Sequence, residues 1–408
     1  MVKKGYKQTE VGVIPEKWKD KKLGDVGKVC MCKRIFANQT SNTGEVPFFK
    51  IGTFGKEADA YISKGLYEDY KQRFSYPQKG DVLISAAGTL GRTIVFEGKD
   101  AYFQDSNIVW LATDKELLCN EYLYHYYKVI KWGASEGSTI ARLYNGIICN
   151  THIALPDVEE QKQIATVLSE IDELISLTEK QISKKKAIKQ GAMQELLTGK
   201  RRLPGFNGAW QVVKLEDICS KITDGSHESP PESDIGYYMP SVKDMRSTGF
   251  DYSECKKISY SDFKKLERNG CRPDAGDVLI AKDGSILKYA FVQEKAENIV
   301  ILSSIAIVTP HSDRVDSYFL AQYFRQQNFV EQVITSYKSG TGVPRIVLKR
   351  FKQIVLFIPE SVAEQAAIAK ILVDMDIEIT GLEKELAKYR QVKQGMMQQL
   401  LTGKIRLM

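Results

Sequence analysis

The chain has 408 residues, which is long enough for two or three domains that each have a hydrophobic core. Its net charge of +7 permits a polyanionic partner without requiring one. The seven cysteines show no disulfide or metal-binding spacing, there is no signal-peptide core, and no apolar run approaches the ~20 residues of a membrane span. These features exclude a disulfide-stabilised or membrane-spanning class, and we expect a cytoplasmic protein with reduced thiols.

Residues 1–155 predict a mixed domain in which β structure is prominent. Gly80 and Asp81 form a turn in front of a short apolar strand, and a later segment rich in aromatic residues has the composition of a buried helix. The predicted elements are a turn and strand at 80–85, strands at 93–96, 108–111 and 147–155, and a helix at 121–132. A Gly-containing loop at 137–143 precedes the last strand.

A long stretch that occurs twice follows each domain. Residues 160–203 and 364–407 align without a gap and are identical at about half of their positions. Each copy carries a 4-3 apolar spacing that predicts a coiled-coil seam, which we expect the two helices to bury against each other. Both copies begin acidic and end basic, so an antiparallel pair sets acid against base at both ends. We assign the helices to residues 156–203 and 359–408.

Residues 204–358 repeat the plan of the first domain loosely. The turn and strand at 276–281 match those at 80–85, an aromatic helix is predicted at 318–333, and the loop at 340–346 matches the loop at 137–143. The helices keep nearly the same residues, whereas the domains share only framework positions. We infer that the helices do the same job twice and that the domains do related but different jobs.

No motif of an enzyme active site is found in the sequence. Gly199 and Lys200 lack the glycine spacing of a phosphate-binding loop, and Ser229-Pro230-Pro231 lacks the aromatic residue of an amino-methyltransferase motif. The four histidines are scattered without ligand spacing. We therefore predict no catalytic residue, bound cofactor or metal site in this chain.

The loops of both domains carry residue types that contact phosphates and base edges. For any single residue a solvated surface charge is the simpler interpretation, but Arg142 and Arg345 are stronger candidates because they lie in matching Gly-containing loops. The predicted DNA-binding residues are Lys33, Arg34, Lys50, Arg73, Arg92, Gln104, Asn107 and Arg142 in the first domain, and Lys243, Arg246, Lys282, Lys288, Arg345 and Lys349 in the second.

The order domain, long helix, domain, long helix resembles the specificity subunit of type I restriction–modification systems. The resemblance covers essentially the whole chain. It rests on residues 9–15 with Trp18, Gly-Asp-Val-Leu at 80–83 and at 276–279, Pro156 and Pro359 before the pairs Glu160-Gln161 and Glu364-Gln365, and Leu-Leu-Thr-Gly-Lys at the end of each helix. The loop at 86–92 fits the family pattern, whereas the loop at 282–288 lacks its second glycine.

The resemblance implies an α+β fold with a pseudo-two-fold internal repeat. It would comprise two mixed α/β target recognition domains, 1–155 and 204–358, separated by two long antiparallel coiled-coil-like spacer helices. The chain would bind a bipartite, asymmetric double-stranded DNA target and position two adenine-N6 methyltransferase subunits and a motor-nuclease subunit. S-adenosylmethionine, ATP and Mg would belong to those partners only. Gln190 and Gln394 are candidate contacts for the methyltransferase subunits, unless they only stabilise their helices.

Two other interpretations remain open at this point. The chain could be a stand-alone sequence-specific DNA-binding scaffold, which would purify without a methyltransferase partner. It could also be an unrecognised enzyme, which would show turnover by the purified chain alone. The absence of paired acid–base motifs argues against the enzyme.

Overall fold

The chain folds into two units, and each contains one mixed domain together with a segment of both long helices. In the computed structural model the described residues are 2–133, 142–295, 297–338 and 344–407. The first unit comprises residues 1–178 and 385–408, and the second comprises residues 179–384. The boundary falls in the middle of both long helices because each half-helix packs on one domain.

The first domain is built around an antiparallel four-stranded sheet. Its strands are β1 (Tyr6–Thr9), β2 (Gly12–Pro15), β3 (Lys19–Lys22), β4 (Gly27–Met31), β5 (Val46–Phe49), β6 (Tyr61–Ile62), β7 (Val82–Ser85), β8 (Thr93–Val95), β9 (Tyr102–Phe103), β10 (Ile108–Thr113) and β11 (His152–Leu155). Its helices are α1 (Lys64–Arg73), α2 (Asn120–Tyr127) and α3 (Asn145–Asn150), and α4 (Val158–Leu196) is the first long helix. The central sheet has the order β4-β10-β7-β8. All four residues of β7 are buried, as expected for an apolar strand covered on both faces.

The second domain also contains a central four-stranded sheet. Its strands are β12 (Trp210–Lys214), β13 (Cys219–Asp224), β14 (Tyr237–Tyr238), β15 (Met245–Arg246), β16 (Gly249–Phe250), β17 (Lys257–Ile258), β18 (Val278–Ala281), β19 (Ala290–Val292), β20 (Ile305–Pro310) and β21 (Val355–Pro359). Its helices are α5 (Tyr260–Arg268), α6 (Ser317–Tyr323), α7 (Gln327–Tyr337) and α8 (Leu348–Lys352), and α9 (Val362–Leu400) is the second long helix. The order of this sheet, β13-β20-β18-β19, is equivalent to β4-β10-β7-β8 in the first domain, so the internal repeat read from the sequence is also a repeat of topology.

The Gly-Asp pair shared by the two domains has a structural role. Gly80 and Gly276 adopt φ angles of 91° and 92°, which glycine reaches without a steric penalty. The buried carboxylates of Asp81 and Asp277 then accept hydrogen bonds from the backbone three residues earlier, each at 2.8 Å. Burial raises the pKa of Asp277, although its hydrogen bonds oppose that shift. The pair thus fixes the turn that starts the central strand.

Three predicted elements differ from the structure. Residues 147–150 belong to α3 rather than to a strand, because the Tyr144 carbonyl accepts from the backbone of Ile147 and Ile148 and closes a helical turn. The helix predicted at 121–132 ends at Tyr127, where the chain tightens into a turn. The helix predicted at 318–333 is divided into α6 and α7, because the side chain of Gln326 caps the second helix.

The apolar stripes of both long helices face inward, which confirms the predicted seam. Each helix has 39 residues and a length of about 58 Å. The stripes are not buried by the partner helix alone, however. In the first unit Ile164 and Leu168 share one core with Leu400 and the first domain. In the second unit the equivalent Ile368 and Leu372 share a core with residues of the second domain.

Reciprocal ion pairs show that the helices run antiparallel within each unit. In the first unit Arg406, just after α9, donates two hydrogen bonds to Glu160 in the first turn of α4. Glu160 also accepts from the Trp18 indole at 3.0 Å. In the second unit Arg202, after α4, donates to Glu364 of α9 at 2.6 and 2.7 Å. Both carboxylates are buried, so each helix start is fixed by the end of the other helix.

Candidate nucleic-acid interface

Three segments of the first domain meet at one end of its central sheet. They are the β7–β8 loop (residues 86–92), the β9–β10 turn (residues 104–107) and the segment at Arg142. The Ala86 amide donates to the Asn107 carbonyl at 2.7 Å, and the Leu143 amide donates to the Ala86 carbonyl at 2.8 Å. We refer to these three segments as the first loop cluster.

Several predicted DNA-binding residues lie together in the first loop cluster. The Arg142 guanidinium donates to the Ser106 hydroxyl at 2.8 Å and to the Asn107 side chain at 3.3 Å. Ser106 adopts a φ of 54°, an uncommon conformation for a residue other than glycine. Gln104 accepts from the Ile51 amide at 2.9 Å and so ties the neighbouring chain to the turn. The turn is thus held in one conformation with its polar side chains on the rim.

Other predicted residues of the first domain are already paired with acids or aromatic rings. Arg34 pairs with Asp105 at 2.8 Å, and Lys50 pairs with Asp59 at 2.8 Å. Both pairs are partly exposed, and exposed ion pairs contribute only about 0–1 kcal/mol to stability. Either cation can therefore leave its carboxylate for a DNA phosphate at little cost in free energy. These two cations therefore remain available to a polyanion.

Lys33 and Arg73 lie outside the first loop cluster, whereas Arg92 lies at the end of its β7–β8 loop. Lys33 and Arg73 flank the ring of Phe74 at 5.1 and 5.4 Å from its centroid, at the end of α1. Arg92 donates to the Phe54 carbonyl at 2.8 Å and therefore has a structural contact that sequence reasoning did not anticipate.

The second domain has an equivalent second loop cluster, formed by residues 282–288, 302–304 and the segment at Arg345. The Lys282 amide donates to the Ser304 carbonyl at 3.0 Å, and the Ile346 amide donates to the Lys282 carbonyl at 3.0 Å. The amide and carbonyl of Ala86 form the equivalent two hydrogen bonds in the first domain, so Lys282 is the structural equivalent of Ala86. Arg142 and Arg345 also match, since each forms an isolated β-bridge with the residue after this position, Ala87 or Asp283.

The missing second glycine of the second loop is replaced by a strained leucine. Leu287 adopts a φ of 54° at the place where Gly91 adopts 78°. Its side chain is buried in the core of the second domain. A left-handed conformation costs a residue with a Cβ about 1–2 kcal/mol, and burial of a leucine side chain offsets that cost. The two loops therefore share one backbone path despite the different residues.

The other predicted residues of the second domain are spread more widely. Lys243 and Arg246 are exposed beside β15, where Arg246 pairs with Asp251 at 2.8 Å. Lys288 lies over the ring of Tyr289 at 5.2 Å, and Lys349 is exposed on α8. Lys282 differs from all of these because it is buried. The glycine-containing parts of the predicted loops, residues 137–141 and 340–343, lie outside the described residues.

An ionic cluster connects each domain with the helix pair of its own unit. In the second unit Asp376 of α9 lies 2.6 Å from Lys189 of α4 and 2.8 Å from Arg325 beside α6. In the first unit Asp172 pairs with Lys393 and, at 3.2 Å, with Lys128. In the sequence these clusters are indicated by the repeat, because Asp172 and Asp376 occupy equivalent positions in it, as do Lys189 and Lys393.

The histidine nearest to these clusters is not a cation at neutral pH. His125 on α2 is buried, and its Nε2 lies 3.0 Å from the Ser169 hydroxyl. Burial lowers the pKa of His125 to about 4. It therefore serves packing rather than DNA attraction.

The two predicted partner contacts are exposed at equivalent positions of the long helices. The Gln190 side chain donates a hydrogen bond to Gln327 of α7, so its amide group already has one hydrogen-bond partner within the second unit. A more apolar pair, Ile188 and Val392, is also equivalent in the repeat and is exposed by 47% and 41%. Sequence reasoning missed this pair because it considered only the apolar positions of the predicted seam, to which neither residue belongs.

The described part of the chain contains no cluster of three or more His, Cys, Asp or Glu residues that could hold a metal ion. Within the same residues, no helix combines the length and apolar character needed to cross a membrane.

Comparison with known proteins identifies the family. The model of the type I restriction modification DNA specificity domain matches twice, at residues 15–186 and 207–393. A putative type I restriction enzyme specificity subunit of Methanocaldococcus jannaschii is 26% identical over 98% of this chain and 97% of its own length. A putative specificity subunit of Haemophilus influenzae is 56% identical, but over only 38% of this chain and 41% of its own length.

A solved structure supports the fold. The crystal structure of a type I restriction–modification system S subunit from M. genitalium superposes with a TM-score of 0.63, at 14% identity, over 94% of this chain and 96% of that one. Since both halves of the chain match the family model and the fold agrees, the chain belongs to the type I restriction modification DNA specificity family as a specificity subunit.

Proposed function

We propose that this specificity subunit reads a bipartite, asymmetric DNA target, with one half-site for each domain. The observation that carries the proposal is the repeated loop cluster. The same hydrogen bonds fix its backbone at Ala86 and at Lys282, whereas the side chains on its rim differ between the domains. A common framework with different side chains suits two readers of different sequences.

Binding energy in this proposal comes mainly from the basic residues around the loops. Arg34, Lys50 and Arg142 surround the first loop cluster, and Arg345 and Lys288 border the second. Their contacts with phosphates would position the domains, while polar side chains such as Asn107 would contact base edges. The chain itself performs no catalysis in this account.

The helix pair is the proposed dock for two methyltransferase subunits, which would transfer the methyl group to adenine N6. A motor-nuclease subunit would complete the enzyme. Ile188 and Val392 support this dock because they are exposed apolar residues at equivalent positions of the repeat. A surface that occurs twice suits two copies of one partner.

The experiment is co-expression of the chain with the methyltransferase subunit of the same system, followed by native mass spectrometry and sequencing of methylated adenines in random duplex DNA. We expect two methyltransferases per chain and a methylated motif that is split by unread bases. A contiguous motif, or methylation by the chain alone, would contradict the proposal. Purification of a sequence-specific chain that never binds a methyltransferase would favour the stand-alone scaffold.

The dock is tested separately by Ile188→Asp and Val392→Asp. Each substitution should remove one methyltransferase from the complex, since it places a charge in an apolar contact. Ile377→Asp is the matched control, because Ile377 is 64% exposed on α9 but its repeat equivalent is Glu173. Loss of a methyltransferase in the control as well would argue against this site.

A further inference from the structure

The second loop cluster contains a buried group of charges that has no counterpart in the first. Lys282 is only 4% exposed, and its Nζ lies 3.3 Å from Asp224 Oδ2 and 3.3 Å from both carboxylate oxygens of Asp283. The equivalent residues of the first loop are Ala86 and Ala87, of which Ala86 is fully buried. The two loops therefore share a backbone path but differ in charge at its centre.

Lys282 has no freedom to reach a ligand outside the domain. Its amide and its carbonyl are both hydrogen bonded to neighbouring segments, at Ser304 and Ile346. Its ammonium group is enclosed and paired with two carboxylates. A lysine in this position acts through its partners, because a buried charge that left them would lose its compensation. Lys282 is therefore a positioning residue rather than a direct DNA contact.

The carboxylate of Asp283 is better placed for recognition. Its side chain is 22% exposed on the rim of the loop cluster, and its backbone forms a bridge with that of Arg345. The next amide, of Gly284, donates to the Pro344 carbonyl at 2.7 Å and so fixes the loop. Asp283 is thus held next to Arg345, the strongest candidate DNA contact of this domain in the sequence and the structural equivalent of Arg142.

A carboxylate restricts the DNA groups that it can contact. It is an acceptor only, and it repels phosphates. On the base edges of the major groove, its partners are the exocyclic amines of cytosine N4 and adenine N6. A guanine or thymine carbonyl in the same place would leave two acceptors facing each other. Lys282 offsets part of the acid's charge, which lessens the repulsion that the DNA backbone would otherwise exert.

We propose that Asp283, held by Lys282, accepts a hydrogen bond from the exocyclic amine of one base in the second half-site. This inference rests on the proposed function, since it assigns a base contact within the same reading surface. It also gives a chemical reason for the two half-sites to differ, because the first domain has alanine at the equivalent position.

The test uses the complete complex with its methyltransferase subunits and a library in which every base of the second half-site is varied. In Asp283→Asn the amide both donates and accepts, so a carbonyl becomes acceptable. We expect preference for an amine-bearing base to fall by about tenfold or more at one position, with the first half-site unchanged. Asp283→Ser also donates and accepts, and it provides a second variant if the first folds poorly. Lys282→Met should weaken the same preference and no other.

Asp234→Asn is the matched control, because it removes the same charge at an exposed position of the same domain. It should strengthen binding to all sequences slightly and leave every base preference intact. If Asp283→Asn and Asp283→Ser behave like this control, Asp283 acts only through its charge and the inference is overturned. If the unmodified complex itself shows no second half-site, the proposed function fails instead.

Discussion

Replacement of Asp376 by alanine tests whether the buried ionic cluster holds the second domain on its helix pair. The Asp376 carboxylate accepts from Lys189, Arg325 and, at 2.7 Å, from the Gln322 amide. Burial by itself would raise the pKa of Asp376, but the charges of Arg325 and Lys189 outweigh it and lower that pKa. The substitution leaves Lys189, whose side chain is only 7% exposed, without its carboxylate.

The size of the loss follows from the fate of Lys189. Removal of one partner of a buried pair typically costs about 3–5 kcal/mol. The lysine can avoid part of this cost by losing its proton. Release at pH 7 from a group with a usual pKa of ~10.4 costs about 4.6 kcal/mol, at ~1.36 kcal/mol for each pH unit, which sets an upper limit. We therefore expect the Asp376→Ala variant to lose about 3–4.5 kcal/mol of stability in the second unit.

The loss should become smaller at higher pH. Burial, together with the charge of Arg325, already lowers the pKa of Lys189 to about 8, and without Asp376 it falls further. The unfolded chain keeps this proton up to about pH 10.4, whereas the folded variant has released it, so the stability of the variant rises with pH. The parent protein releases the same proton above about pH 8, so between pH 7 and pH 9 the loss should fall by about 1.4 kcal/mol, which corresponds to the single pH unit between pH 7 and that pKa. Urea denaturation followed by circular dichroism at both pH values measures the trend.

The local assay is hydrogen exchange by mass spectrometry, which reports the free energy of opening of α6 for Asp376→Ala and of α2 for its control. Asp172→Ala in the first unit is the matched control. The Asp172 side chain is 28% exposed and its partner Lys393 is 18% exposed, so solvent screens the charges that remain and the loss should be about 1 kcal/mol. A loss below 1 kcal/mol for Asp376→Ala, or equal losses for the two variants, would refute the reasoning.

Two further substitutions test the helix ends and the strained loop. Arg202→Met should destabilise the second unit by about 3–5 kcal/mol in chemical denaturation, because it leaves Glu364 buried and unpaired. Arg406→Met should cost less, because Glu160 keeps the hydrogen bond from the Trp18 indole. Equal losses for the two variants would contradict this reasoning. Leu287→Gly should relieve about 1 kcal/mol of backbone strain but lose about 2–3 kcal/mol of stabilisation from the buried side chain. We therefore expect a lower melting temperature, and a higher one would show that the strain outweighs the burial.

The long helices could be predicted from the sequence because their signals are local and repeated. The apolar spacing indicated both helices, although the assigned ranges 156–203 and 359–408 extend seven and eight residues beyond Leu196 and Leu400, where the helices end. The acidic and basic ends indicated the antiparallel direction that the Arg202–Glu364 pair confirms. The sequence could not show that each stripe is shared with a domain, since that packing joins distant residues. The division of the aromatic helix at Gln326 was missed because a side-chain cap overrides helical periodicity.

The candidate DNA interface could be predicted only in part. Arg142 and Arg345 occupy equivalent places in the two loop clusters, as their matching loops had indicated. A lysine directly after a strand suggests an exposed loop residue, yet Lys282 is enclosed by an acid 58 positions earlier in the chain. Such long-range pairing leaves no local signal. Leu287 was equally hidden, because its residue type disfavours the conformation that it adopts.

The most direct test of independent reading by the two domains is an exchange of one domain. Residues 204–358 would be replaced by the corresponding domain of a related specificity subunit, and adenine methylation by the assembled complex would be sequenced across a genome. The account predicts that one half of the methylated motif changes to that of the donor while the other half stays the same. A change in both halves, or in neither, would contradict it.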